Sequence, residues 1–455
     1  MIFSGKDISN KIMNTKNIIK IVKFGGSSLA DANQFQKVAS IINSDPSRVY
    51  IVPSAPGKRF DSDTKVTDML LNCFKAIGTD EFNTIFTNIK ERYDDIIINL
   101  GLDLSLTDEY IAIEQNIKNG YSRDYIASRG EYLNGIILAK LLNYNFVDAA
   151  EIIFFDENGV FNPTQTNIVA EKKLKSLPNA VIPGFYGSMP DGTVKTFSRD
   201  GSDISGAIVA RAVMADIYEN WKDVSGFLMC DPRIIKNPKQ IKVITYRELR
   251  ELSYMGATVL HEDSIFPVKL AGIPINIRNT NSPDDEGTMI VATSRCNAMN
   301  NNDIITGIAG KKGFSVINIE KDMMNQELGV GMRVLKVLAD MGISFEHFPS
   351  GIDTMSIVVN KEAITGHEKE IMDRITASIN PDSIDIESGL GLIAVVGRGM
   401  IRATGTASRI FTAIAREGIN IRMIDQGSSE LNIIIGVNEN DFVNTIKTIY
   451  NEFVK

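Results

Sequence analysis

From residue 18 to about residue 295, short β-branched and apolar runs alternate with longer stretches whose apolar residues return every three or four positions. The runs are Ile19–Val22, Val49–Val52, Phe146–Asp148, Ala180–Ile182 and Ile275–Ile277. Runs this short, bounded by turn formers and separated by helical periods, predict strands feeding helices, and hence an α/β sheet sandwiched by helices. Between them Phe82, Ile85, Phe86, Ile89, Tyr93 and Ile97 share one helical face, which predicts an amphipathic packing helix from Asp80 to about Asn99.

Residues 279–303 change character: turn formers and amides dominate, as in Asn279–Gly287 and Cys296–Asn302, and a domain boundary is expected there. Beyond it one pattern appears twice. Strand Phe314–Ile319, helix Gly331–Met341 and strands Ser344–Phe348 and Met355–Val359 are matched by Leu392–Val396, Ala407–Glu417, Ile421–Asp425 and Leu431–Gly436. Each copy closes on a further helix, near Glu368–Ser378 and Asn440–Phe453, and Gly342 and Gly418 fit the ends of the matching helices. Two βαββαβ units predict a duplicated ferredoxin-like module. The strand Ile304–Ala309 fits either unit, and in the second it would interleave the two.

A chain of 455 residues exceeds one ordinary core, so two or three domains are expected. With 44% hydrophobic residues, a net charge of −8 and no dense basic run, the composition argues against nucleic acid as a partner. No apolar stretch approaches the roughly 20 residues that span a bilayer, so no membrane partner is expected. Residues 1–17 lack the apolar core of a signal peptide and read as a frayed extension. Cys73, Cys230 and Cys296 show no metal-ligand or redox spacing, which fits a reduced, cytoplasmic chain with buried thiols. Only three histidines are present, so a nucleophile that needs no histidine base suits the chain best.

Two polar stretches carry the chemistry. In the first, Ile19–Lys23 runs as a strand into Gly25–Gly26–Ser27–Ser28. A glycine pair after a strand lets backbone N–H groups approach phosphate oxygens, and Lys23 can reach the same phosphates; the same pair is also compatible with an ordinary turn. In the second, Arg199 can fork a carboxylate, while Asp203 either joins it or caps the helix Ile204–Met214 together with Ser202. Glu131, opening a helix in Ser128–Arg–Gly–Glu131, is either a surface residue or a buried anchor for an ammonium group. Thr64–Asp68 reads as a capping segment or a site loop, and Trp221–Arg233 as a turn-rich connection carrying Asp223, Asp231 and Arg233.

Taken in order, these phrases resemble the aspartate kinases of the amino-acid kinase superfamily, from about residue 18 to the C-terminus. Lys23–Phe–Gly–Gly–Ser–Ser28, Ser54–Ala–Pro–Gly57, Ser128–Arg–Gly–Glu131, Arg199–Asp–Gly–Ser–Asp203, Trp221–Lys–Asp–Val–Ser–Gly226, Asp231–Pro–Arg233, Gly256–His261 and Arg278–Asn–Thr280 carry the likeness. The resemblance implies a three-layer αβα kinase domain over 18–295, followed by two ACT domains over 304–380 and 381–455. It implies transfer of a phosphoryl group from ATP, with Mg²⁺, to the side-chain carboxylate of L-aspartate. A carboxylate with pKa about 4 is already ionised, so no general base is needed, and catalysis reduces to positioning and charge neutralisation.

On this resemblance Lys23 stabilises the moving phosphoryl group and Asp203 holds Lys23. Gly25, Gly26 and Ser27 cradle phosphates, and Asp223 and Arg233 line the nucleotide site. Arg199 pairs with the substrate α-carboxylate and Glu131 with its ammonium, with Thr67 and Ser202 nearby. No protein residue is assigned to the metal. Three positions depart from the family pattern: Lys222 stands where threonine is usual, Asp200–Gly201 where a glycine pair is usual, and Thr258 where lysine is frequent. The ACT pair implies an amino-acid effector, lysine or threonine, with Met323, Ser344 and Glu346 as candidate contacts, and a homodimer or homotetramer. Two alternatives stand beside this reading: another amino-acid kinase, and a non-enzymatic amino-acid sensor on a decayed kinase.

Overall fold

A computed structural model describes residues 18–198, 201–257, 260, 262–297 and 303–454. The extension at 1–17, Arg199, Asp200 and Thr258 lie outside the described residues. The chain divides into two compact units, the residues to Ser225 with Asp263–Val291, and Gly226–Glu262 with the residues from Ala292 onward. Residues 226–262, expected within one continuous kinase segment over 18–295, thus pack with the second unit.

In the first unit seven strands lie in the order Asn145–Phe146, Ala180–Val181, Arg48–Pro53, Lys20–Phe24, Ile217–Lys222, Ile275–Asn279 and Thr288–Val291. All neighbouring pairs are parallel except the last. Helices Ala32–Asn43, Val66–Lys75, Asp80–Leu100, Thr107–Lys118 and Arg123–Leu142 share one apolar cluster with Val22, Phe24 and Ile51. Pro163–Lys175, Gly201–Val213 and Phe266–Ala271 pack together apart from that cluster, with Gly201–Val213 against the central strands.

The central strand Ile217–Lys222 was hidden by its composition. Central parallel strands usually read as continuous apolar runs, and this one contains Glu219 and Asn220, both buried. Glu219 survives burial because Arg48 Nε (2.8 Å) and Trp221 Nε1 (2.9 Å) donate to its carboxylate. Register then sorts the side chains. Lys23 lies beside Asn220 and Phe24 beside Trp221. Alternation places Lys23, Tyr218, Asn220 and Lys222 on one face of the sheet, while Phe24 and Trp221 stack on the other with ring centroids 6.0 Å apart.

The second unit carries one six-stranded antiparallel sheet, in the order Phe345–His347, Thr354–Asn360, Gly307–Glu320, Ser383–Val396, Asn432–Asn438 and Ile421–Asp425. Helices Val330–Asp340, Glu368–Ile379, Thr406–Arg416 and Phe442–Phe453 complete the repeat. Both long strands are shared between the copies. Gly307–Lys311 pairs with Leu392–Val396 of the second copy, while Phe314–Glu320 pairs with Thr354–Asn360 and with Ser383–Leu390. The stretch before the first copy therefore completes the sheet of the second. Gly342 and Gly418 follow their helices at φ +70° and +69°, a conformation glycine adopts without strain.

Candidate active site

A cavity of about 710 Å³ opens at the carboxyl ends of the parallel strands of the first unit, where open α/β sheets bind ligands. Its walls are the segments that leave those strands. Gly26 and Ser27 follow Lys20–Phe24, Ser54–Gly57 follow Arg48–Pro53, Phe185 follows Ala180–Val181, and Lys222 and Asp223 end Ile217–Lys222. Helix Val66–Lys75 adds Thr67, helix Arg123–Leu142 adds Glu131, and helix Gly201–Val213 adds Ser202 and Asp203.

Asp203 is the centre of the site. Its carboxylate is buried and meets Lys23 Nζ at 2.6 Å through Oδ1 and Lys222 Nζ at 3.1 Å through Oδ2. Asn220 Nδ2 donates to Oδ1 at 3.0 Å, and the Tyr218 hydroxyl donates to the Asp203 carbonyl at 3.0 Å. All four partners come from the sheet face that register defines. Gly206 lets the helix approach, since a Cβ there would lie 2.5 Å from the Tyr218 hydroxyl oxygen. Burial pushes the Asp203 carboxyl upward, and the two ammonium groups more than reverse this, holding it well below the usual carboxylate range. Asp203 is therefore a fixed anion between two cations, not merely a helix cap.

Glu131 differs. Burial raises its carboxyl to about 8, against the lowering pull of nearby backbone amides, Lys23 and Arg129. Its Oε2 atom is buried without a hydrogen-bond partner although the residue lines the cavity. A buried acceptor left open at a cavity wall is ready for a cationic group from a ligand.

The glycine turn is built by backbone. The Gly57 N–H donates to the Gly26 carbonyl at 2.8 Å, and a Cβ on Gly26 would lie 2.8 Å from the Ala55 carbonyl oxygen. The Gly25 N–H donates to the Trp221 carbonyl at 3.0 Å, so Gly25 fixes the turn while Gly26 and Ser27 face the cavity. Ser28 turns away, its hydroxyl 2.7 Å from that of Thr280. A buried arginine secures the rim: Arg92 donates to the carbonyls of Gly57 (2.6 Å) and Ala30 (3.2 Å) and to Asp63 (2.9 Å).

Of the expected site residues, the structure brings Lys23, Gly26, Ser27, Thr67, Glu131, Ser202, Asp203 and Asp223 to one cavity. Arg199 lies outside the described residues, and Arg233 belongs to the other unit, where it forks Asp231. The sequence reading missed Asn220 and Tyr218, and treated Lys222 only as a departure. The period-two spacing of Tyr218, Asn220 and Lys222 was the available signal. Among the candidate effector contacts of the second unit, Glu346 accepts from the Tyr254 hydroxyl, and Met323 and Ser344 are exposed at the ends of the loops that flank helix Val330–Asp340.

Comparison with known proteins agrees with this geometry. Residues 19–279 match the amino acid kinase family and residues 393–453 an ACT domain. Aspartokinase 3 of Bacillus subtilis (strain 168) is 38% identical over 452 residues, 96% of this chain and 98% of that protein. The crystal structure of Clostridium acetobutylicum aspartate kinase is 52% identical, with a TM-score of 0.88 over 96% of this chain and 100% of that one. E. coli aspartokinase III, solved with aspartate and ADP and again with lysine and aspartate, shares the fold at 22% identity, with TM-scores of 0.71 and 0.73 and the same 96% and 100% coverage. Neither another amino-acid kinase nor a sensor is needed to explain the chain, which belongs to the amino acid kinase family and, within it, to the aspartate kinases, enzymes that phosphorylate the side-chain carboxylate of L-aspartate at the expense of ATP.

Proposed function

We propose that the 710 Å³ cavity holds the terminal phosphates of ATP against L-aspartate, and that Lys23 and Glu131 divide the work between them. The observation that carries this reading is the contrast of the two buried carboxylates. Asp203 is saturated by cations and holds Lys23 in place, while Glu131 is open to a ligand ammonium. Lys23 faces the transferring phosphoryl group and stabilises its spreading negative charge. Gly26 and Ser27 offer main-chain donors to the phosphates, over a turn that Gly25 fixes. Thr67 and Ser202 flank the aspartate, Arg199 receives its α-carboxylate, and Asp223 serves the nucleotide. The substrate carboxylate attacks as it stands, so the transfer step itself needs no general base. The bond from phosphorus to the bridging oxygen of ADP breaks as the bond to the carboxylate oxygen forms.

Mg²⁺ is part of this reading and would supply charge neutralisation between the phosphates. Both oxygens of Asp203 carry ammonium groups, and no cluster of three potential ligands occurs among the described residues. These residues fit an ion that arrives with the nucleotide better than one caged by protein. An amino-acid effector, lysine or threonine, is assigned to the second unit near Met323, Ser344 and Glu346, because a carboxylate such as Glu346 suits a side-chain ammonium. A cytoplasmic setting is supported by the three free, buried cysteines, and an assembly of two or four copies completes the reading.

The test is formation of aspartyl hydroxamate from MgATP, L-aspartate and hydroxylamine, with and without lysine or threonine. Hydroxamate that requires L-aspartate and falls with one of the two amino acids is the expected result. Product formed equally well without L-aspartate would overturn it.

A further inference from the structure

We propose that Lys222 is a second cation of the transfer site, a positioning residue that grips Asp203 opposite Lys23 and brings an extra positive charge to the cavity wall. The proposal rests on reading this cavity as the site of phosphoryl transfer.

Asp203 Oδ1 takes Lys23 at 2.6 Å and Oδ2 takes Lys222 at 3.1 Å. Both lysines border the cavity. They reach it from neighbouring strands, Lys20–Phe24 and Ile217–Lys222, on the same face of the sheet. Lys23 is nearly buried, its side chain 6% exposed, whereas that of Lys222 is 20% exposed.

A lone Lys23–Asp203 pair is neutral, and the carboxylate draws the ammonium toward itself and away from any ligand. With Lys222 present, two ammonium groups share the Asp203 carboxylate, and the second of them adds a cation to the same cavity wall. That cation sits where anionic phosphate oxygens must be held, and pairwise attraction is strongest where water is thin. Competition from Lys222 also weakens the hold of Asp203 on Lys23, leaving more of that ammonium for the phosphoryl group. Without the carboxylate between them the two lysines would repel, which explains why Asp203 is also fixed by Asn220 and Tyr218.

A purely structural role predicts something else. Methionine has nearly the length and apolar stem of lysine, so K222M keeps the packing and removes the charge, while K222R keeps a charge. The experiment measures kcat, KM for ATP and for L-aspartate by hydroxamate formation, and the thermal midpoint, for wild type, K222M and K222R. We expect K222M to lower kcat on the order of tenfold to a hundredfold, K222R to recover most of it, the aspartate KM to stay within about threefold, and both midpoints to stay within a few degrees. K222T supplies the same comparison if K222M does not fold. A K222M enzyme within twofold of wild type in kcat would overturn the proposal. So would equal losses in K222M and K222R. No aspartate-dependent hydroxamate from wild type would instead overturn the reading of the cavity.

Discussion

The strands Ile217–Lys222 and Asn432–Asn438 are both paired on two sides and have almost the same burial, yet they are opposite in chemistry. One reads Ile-Tyr-Glu-Asn-Trp-Lys, the other Asn-Ile-Ile-Ile-Gly-Val-Asn. The aliphatic strand is stabilised by burial itself, at about 25 cal/mol per Å² of apolar surface. The polar strand gains little from burying charge, because desolvation offsets the attraction of buried pairs. Its charges are affordable only because each has a partner: Glu219 has Arg48, and Lys222 has Asp203. The first unit thus gives up stability in its central strand to aim groups at the cavity, and the second spends its sheet on cohesion.

The sharpest way to break this comparison is to remove the anion at the centre. Asp203→Asn leaves a neutral carboxamide where two ammonium groups converge and removes the anion that both lysines share. We expect kcat to fall about 10³-fold, equivalent to about 4 kcal/mol of barrier, measured by hydroxamate formation on protein with an unchanged circular dichroism spectrum. A loss under tenfold would remove Asp203 from the centre of the mechanism.

Next in size is the structural pair on the other face of the same strand. Glu219→Gln leaves the buried Arg48 guanidinium without its anion and should cost about 3 kcal/mol of stability. Urea unfolding would show it as a lower midpoint. Aspartate KM should change little, since Glu219 does not line the cavity.

Glu131 gives a pH signature. Burial raises its carboxyl to about 8, so at pH 7 the ligand-free residue is largely protonated. On the proposed reading, only the ionised form pairs with the aspartate ammonium. Lowering the pH from 8 to 6 should therefore raise the aspartate KM, approaching tenfold per unit on the acid side. Glu131→Gln should have a high aspartate KM that is flat with pH. A wild-type KM that is flat over this range would remove the ammonium contact.

How much of this was legible follows from the same contrast. In the second unit, spacing, helices and glycine ends repeat, so the duplicated module could be read residue by residue. Only the sharing of the two long strands had to come from pairing. In the first unit, Lys23, Glu131 and Asp203 announced themselves through short motifs. Ile217–Lys222 did not, because a central strand that carries Glu, Asn and Lys lacks the apolar run by which strands are found. Tyr218, Asn220 and Lys222 went unread as site residues for that reason. Their partner Asp203 lies on a helix, and only the sheet register shows that all of them face it.

The smallest expected effect sharpens the comparison from the aliphatic side. Ile435, in the middle of Asn432–Asn438, is fully buried and opposes Ile393 and Ile424 on the neighbouring strands. Ile435→Val removes one methyl group, keeps the β-branch that suits a strand, and leaves no polar atom unpaired. The cost should be about 1 kcal/mol, seen as a shift of a few degrees in the thermal midpoint, with kcat and aspartate KM unchanged in the absence of effector. Glu219 of the polar strand has no counterpart to this mild substitution. Trimming Glu219 leaves the buried Arg48 charge without its anion, and the penalty for an orphaned buried group exceeds that for a missing methyl. If Ile435→Val proved as damaging as Glu219→Gln, the two strands would not differ in how they are stabilised, and the argument that the first unit trades cohesion for aim would fail.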